Sequence, residues 1–408
     1  MTRPAGLGAY LVVTAAYWAF MLTDGALRML ALLHFHGAGF SPVQLAYLFV
    51  LYEIAGIVTN LSAGWIAARF GLTTTLYAGL GLQIAALMAL TQLDAAWSIG
   101  ASVVFVMGVQ GLAGVAKDLT KMSSKSAVKL LAPEGALFSW VATLTGSKNA
   151  VKGLGFVLGA GLLAALGFAG ALWAMAGALA LILIGAAIFM PTGLPRGRAG
   201  TKFHEVFSRN PRINRLSLAR VFLFAARDVW FVVGVPVFLA DALSGGAAGP
   251  RGAFFAVGAF MAVWVIFYGA VQAAAPRILR AKTRNLNAMS ARTAPWAAGL
   301  ALIPLALAAA AWGMGASPAL TATLIAGLLG FGAVFAVNSA LHSYLILAYA
   351  SAGRVSMDVG FYYMSNAAGR LIGTLLSGIS YQVGGLPLCL AASGIMAGAS
   401  ALAARRLV

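Results

Sequence analysis

Ser147-Lys148-Asn149-Ala150-Val151-Lys152-Gly153-Leu154-Gly155 and Ser365-Asn366-Ala367-Ala368-Gly369-Arg370-Leu371-Ile372-Gly373 are two versions of one pattern. Each sets Asn-Ala three or four residues before a cation and then closes on a glycine. Each lies inside a long apolar run, where a charge is costly and rarely incidental. The two stretches stand a little over half the chain apart. That spacing predicts a chain whose second half repeats the build of its first.

Around them the sequence is mostly apolar. Of 408 residues, 62% are hydrophobic and only 9% charged, against roughly 25% charged in a soluble domain. Twelve apolar runs can be drawn, at 6–33, 42–68, 72–92, 96–124, 136–167, 169–190, 213–240, 251–275, 293–313, 318–347, 356–380 and 384–404. Each is long enough to cross a hydrocarbon core of about 30 Å. All are expected to be helices, because backbone polar groups in lipid must satisfy one another. The 49 glycines suit close packing between such helices. The first run is too long for a signal h-region and is expected to stay as a helix.

The loops between the runs predict orientation. The first, third, fifth, ninth and eleventh are nearly free of Lys and Arg, and the seventh carries only Arg251. The even loops hold Arg69; Lys125 and Lys129; Arg196, Arg198, Lys202, Arg209, Arg212 and Arg215; Arg277, Arg280, Lys282, Arg284 and Arg292; and Arg354. Arg3 precedes the first run, and Arg405 and Arg406 follow the last. Every cluster falls on one side, which the positive-inside rule makes cytoplasmic, so both termini are expected there. A net charge of +18 on a soluble protein would suggest nucleic acid. Here the cations serve topology and an anionic substrate better, and no nucleic-acid partner is expected.

The longest loop is basic and opens with Pro191, Gly193 and Pro195. It divides the chain into a six-helix half at 1–190, a linker at 191–212 and a second six-helix half at 213–408. Two such halves describe the major facilitator architecture, an all-α integral membrane fold. Gly64-Trp65-Ile66-Ala67-Ala68-Arg69-Phe70-Gly71 resembles the loop signature of that superfamily, with Ala68 where an acid is usual. Gly155-Phe156-Val157-Leu158-Gly159-Ala160-Gly161 loosely resembles its glycine-rich antiporter motif, and small-residue packing reads it equally well.

The charges inside the runs carry the functional reading. The cations are Arg28, Lys117, Lys121, Lys148, Lys152, Arg227 and Arg370; the acids are Asp24, Glu53, Asp118 and Asp228. Asp24 and Arg28 are four apart, and so share a helix face. Lys125 and Lys129 lie near a helix end and can snorkel to the interface. Arg220, within two turns of its helix end, fits snorkelling or function. Seven cations against four acids predict at least three deep cations without a protein partner. An unpaired buried charge costs several kcal/mol on an order-of-magnitude view. A polyanionic substrate in a watery cavity would supply the missing charge, with Arg as a fork and Lys as a point charge. The four acids are candidates for proton coupling or for ion pairing.

Other chemistry finds little support. His34 and His36 read as exposed loop histidines at the end of the first run, and no metal site is expected. His342, near Asn338 and Tyr344, reads as a hydrogen-bonded core histidine before a proton relay. A single cysteine, Cys389, excludes an internal disulfide. No nucleophile–base pair or phosphate-binding glycine loop points to an enzyme, and no cofactor is expected.

The stretch Gly114-Val115-Ala116-Lys117-Asp118-Leu119-Thr120-Lys121-Met122-Ser123-Ser124-Lys125-Ser126-Ala127-Val128-Lys129 resembles the fourth helix of the organoarsenical exporter family ArsJ, a branch of the major facilitator superfamily. Leu144-Thr145-Gly146-Ser147-Lys148-Asn149-Ala150-Val151-Lys152-Gly153 resembles the same family. The resemblance implies export of 1-arseno-3-phosphoglycerate across the bacterial inner membrane. It also implies a functional link to a glyceraldehyde-3-phosphate dehydrogenase, which makes that product from arsenate. Two rivals stay open. One is an organophosphate–phosphate exchanger; the other is a membrane-embedded enzyme or flippase acting on anionic headgroups.

Overall fold

The computed structural model describes residues 7–70, 72–94, 96–131, 137–190, 208–245, 249–280, 285–350 and 355–407, leaving aside the side chains of 7, 63–65, 67–70, 72, 122, 125–131, 137–146 and 355–357. The loop signature around Arg69, the lysines at 125 and 129, and residues 191–207 of the linker therefore lie outside the described side chains. No strand occurs among the described residues.

Ten helical stretches are long and apolar enough to cross a membrane. Two of them are too long to cross once. Leu137–Phe189 has 53 residues and Val355–Ala404 has 50. At 1.5 Å per residue either would reach about 75–80 Å, more than twice the hydrocarbon core. Both break at glycines in the left-handed region, Gly167 (φ 70°) and Gly385 (φ 60°), a conformation that side chains with a Cβ avoid. Each stretch thus supplies two crossings, divided where the apolar runs predicted, and the total is twelve.

Span one is Leu7–Gly37. Span two joins Pro42–Tyr47 to Val50–Phe70. Its start carries a capping box, Ser41 accepting from the Gln44 amide while the Gln44 side chain accepts from the Ser41 amide. Spans three and four are Leu72–Leu90 and Ile99–Leu131, and five and six meet at Gly167. Span seven is Pro211–Val229, a π-helical segment Trp230–Gly234, and Val235–Ser244. Span eight is Gly249–Ile278. Span nine joins Leu286–Ser290 to Thr293–Met314, and span ten is Pro318–Tyr349. Eleven and twelve meet at Gly384 and Gly385. An even number of crossings puts the first and last described residues at the same end.

The quoted repeat explains how each half is assembled. A Cβ on Gly155 would strike the Leu22 carbonyl oxygen of span one, and one on Gly159 the Ala26 carbonyl. A Cβ on Gly369 would strike the Val221 carbonyl of span seven, and one on Gly373 would come within 2.8 Å of the Ala225 carbonyl. Span five packs on span one as span eleven packs on span seven, backbone against backbone. The glycine-rich segment 155–161 is thus a packing surface.

The halves touch chiefly along two helix pairs. Span eleven meets span two at Gly378, where a Cβ would lie 2.5 Å from the Pro42 carbonyl, and the Gln382 side chain accepts from the Val43 amide (3.2 Å). Span eight meets span five at Gly258, against Ala160 and the Phe156 carbonyl. Far from the basic loops, His36 Nε2 lies 2.8 Å from Asp241 Oδ1 across the halves. His36 and His34 are therefore in the last turn of a helix, partly buried, and not in a loop; His34 stacks on Phe168 with ring centroids 3.9 Å apart.

Candidate functional site

Three of the four acids singled out in the sequence gather with five of the seven cations around the middle of the helix bundle. Asp24 does not pair with Arg28, its neighbour on the same face. It accepts from Tyr52 (2.6 Å) and from Lys152 of span five (3.0 Å). Arg28 turns instead to Glu53 of span two, at 3.5 Å, and lies over the rings of Phe49 and Tyr52. Glu53 is fully buried and faces a second guanidinium, that of Arg370 from the other half, 2.9 Å from its Oε2. That contact is close but too poorly aligned for a hydrogen bond. One carboxylate thereby serves two arginines and joins span two to span eleven.

A third acid lies one helix away. Asp118 accepts from Thr59, and from Lys121 at 3.2 Å; Lys121 also donates to Asn60 (2.7 Å) and lies 5.5 Å from the Tyr363 ring centroid. A Cβ on Gly56 would fall 3.3 Å from Arg370 and 3.7 Å from Asp118, so this pair adjoins the Glu53 group. Lys148 is half-buried one turn before Lys152 on span five. Arg227 and Asp228 form their own pair on span seven at 2.5 Å, with the guanidinium over Phe224, Phe231 and Phe335.

The simple count of charges is therefore corrected. At least five of the seven cations hold an acid among the described residues, because Glu53 takes two of them. What remains is sharper than a surplus of charge. Lys117, 6% exposed, has no hydrogen-bond partner among the described residues, and its ammonium sits 3.8 Å above the Tyr52 ring. Arg28 Nη2 and Arg370 Nε are also buried without an acceptor. Three donors from spans one, four and eleven, all carried by cations, surround Tyr52 and Glu53 with no acceptor among the described residues. A buried donor left unmade costs about 1–3 kcal/mol, and more when charged. Arg28 also borders a small cavity whose other walls are apolar: Met29 and Leu32, Phe156, Phe231 and Met261, among others.

Several residues of this site escaped sequence reasoning. Tyr52, Thr59 and Asn60 hold the acids and lysines, and their seven- and eight-residue spacing on span two was the available signal. Asp358, 3% exposed in the first turn of span eleven, is a fifth buried acid and forms no ion pair among the described residues. Arg220 does not snorkel: it is 3% exposed, with Nε 2.5 Å from Asn366 Oδ1 and Nη1 3.0 Å from the Ser339 carbonyl. His342 is fully buried, yet neither ring nitrogen has a partner among the described residues.

Comparison with known proteins speaks to the fold. No protein-family model matches the chain, and no curated protein does. Solved structures do match. A mutant of the nucleoside transporter NupG aligns over 98% of both chains with a TM-score of 0.70 at 15% identity. A structure described as giving insight into substrate recognition in proton-dependent oligopeptide transporters aligns over 98% of both chains with a TM-score of 0.71 at 13% identity. The chain has the twelve-helix major facilitator fold.

Proposed function

We propose that this chain is a secondary transporter that exports an anionic organoarsenical, 1-arseno-3-phosphoglycerate, from the cytoplasm. The observation that carries the anionic part is the set of acceptor-less donors on Arg28, Lys117 and Arg370. The arsenical part rests on the resemblance of 114–129 and 144–153 to the organoarsenical exporters. The fold shared with two transporter structures supports the transport part. The loop charges favour cytoplasmic termini. The halves are 1–190 and 213–408, joined by the basic linker 191–212.

In this reading the ligand is held between the halves. One anionic end meets Lys117 and Arg28, and Lys121, Lys148 and Lys152 add positive charge along the same wall. Arg370 and Arg227 reach it from the other half. An oxyanion competes with Glu53 for Arg28 and Arg370, and so loosens the carboxylate that ties span two to span eleven. Binding energy is thereby linked to separation of the halves, as alternating access requires. Asp24, Glu53, Asp118 and Asp228 are each engaged by a cation. Exchange against inorganic phosphate asks none of them to take up a proton, and it stands as an equal option to proton coupling.

The same donors suit a plain phosphate ester, so an organophosphate–phosphate exchanger is the second reading. Arsenate resistance in a host without its own exporter separates the two. Resistance is expected only when a glyceraldehyde-3-phosphate dehydrogenase is co-expressed. Resistance without that enzyme, or none with it, contradicts the arsenical reading.

A further inference from the structure

Away from the central cluster, span seven carries a second buried guanidinium. Arg220 lies two turns from Arg227 on the same helix face, and the ring of Phe224 lies between them, 4.2 Å from one guanidinium carbon and 4.8 Å from the other. Arg220 has no carboxylate within ion-pair distance among the described residues. Its hydrogen bonds go to the Asn366 side chain and the Ser339 carbonyl, both neutral. Its positive charge is therefore uncompensated in a site it cannot leave.

The polar groups beside it are also unmet. Asn338, Ser339 and His342 share one face of span ten at helical spacing, and the Ser339 carbonyl fixes that face against Arg220. Both side-chain atoms of Asn338, both ring nitrogens of His342 and the hydroxyls of Ser339 and Ser217 are buried without a hydrogen bond among the described residues. Ser217 is one turn before Arg220 on span seven. Buried polar atoms in native proteins nearly always have partners, so a group this dense points to an occupant. An amide, an imidazole and two hydroxyls each offer a donor, and the one formal charge is positive. That chemistry suits a tetrahedral oxyanion such as hydrogen phosphate, whose oxygens accept from these donors and whose remaining hydroxyl can donate to the Asn338 amide oxygen or an imidazole nitrogen.

We infer that Arg220, Asn338, His342 and Ser217 form a second oxyanion site, separate from the central cluster, that takes inorganic phosphate or its arsenate analogue. The site is one aromatic ring away from Arg227, which makes it a station beside the central one. The inference does not depend on which organic anion the protein carries.

The test is equilibrium dialysis of full-length protein in detergent against radiolabelled inorganic phosphate. Lys117→Gln removes the central site and serves as the background. That protein is expected to bind one phosphate per chain. Adding Arg220→Gln should abolish the binding. Adding Asn338→Leu, which is near-isosteric and removes an unsatisfied amide, should leave the fold intact and weaken phosphate about ten-fold, the loss of one good hydrogen bond to an anion. The inference is overturned if the Lys117→Gln protein binds no phosphate. It is equally overturned if Asn338→Leu binds phosphate as the background does, because the buried polar atoms then hold only water or nothing.

Discussion

Lys117 and Glu53 stand on different helices and are opposites in their pairing. Lys117 is a buried cation with no hydrogen-bonding partner among the described residues, whereas Glu53 is a buried anion with two partners. Their substitutions should therefore have opposite effects on stability. Lys117→Met removes an uncompensated charge and keeps the stem over Tyr52, so the melting temperature should rise while transport falls at least about ten-fold, the cost of one charged contact to the ligand. Glu53→Gln strands two arginines, and breaking such a buried pair costs about 3–5 kcal/mol. That protein should be recovered in low yield and melt well below wild type in a thermal-shift assay. At this scale the sequence shows depth but not partners. Asp24 and Arg28 share a helix face, yet Asp24 is taken by Lys152, 128 positions away. Arg220 sits near a helix end, yet Asn366 and the Ser339 carbonyl draw it inward. Which of several cations reaches an acid depends on where other helices bring their side chains, and no spacing rule within one helix contains that.

At the scale of elements the sequence is far more legible. Apolar length fixes the crossings, and glycines in left-handed conformation mark both hairpins inside the two longest helices. The quoted repeat places the glycines that seat span five on span one and span eleven on span seven. Gly155→Val and Gly373→Val are each expected to abolish monodisperse protein on gel filtration, because a Cβ meets a backbone carbonyl or the Asp228 Cβ that has no room to move. The π-helical segment at Trp230–Gly234 is not legible in advance. It begins two residues after Asp228, and Ser377 Oγ of span eleven accepts from the amides of both Val233 and Gly234 at 3.1 Å. Segments of this kind frequently accompany functional sites. Ser377→Ala removes the acceptor that these two amides share and should destabilise the fold by about 1–3 kcal/mol, measured as a lowered melting temperature.

For the whole molecule, the transport proposed above would require spans two and eleven to separate where they now touch. The Val43 amide and the Gln382 side chain lie 3.2 Å apart across that seam. The chain's one cysteine, Cys389, is buried against the Val229 carbonyl, so introduced pairs meet little background. Val43→Cys with Gln382→Cys should cross-link on oxidation, cut transport by an order of magnitude or more, and recover with reductant. Unchanged transport in the cross-linked form would mean that this seam does not open. The binding of an anion by the deep cations is tested most directly in inside-out vesicles. The measurement is uptake of the dehydrogenase's arsenate product against plain 3-phosphoglycerate, in wild type and in Lys117→Gln at matched protein levels. Wild-type vesicles should accumulate the arsenate product in preference, and Lys117→Gln vesicles should accumulate at least about ten-fold less, as expected for one lost charged contact. Equal accumulation by the two proteins would contradict the role given to the buried cations.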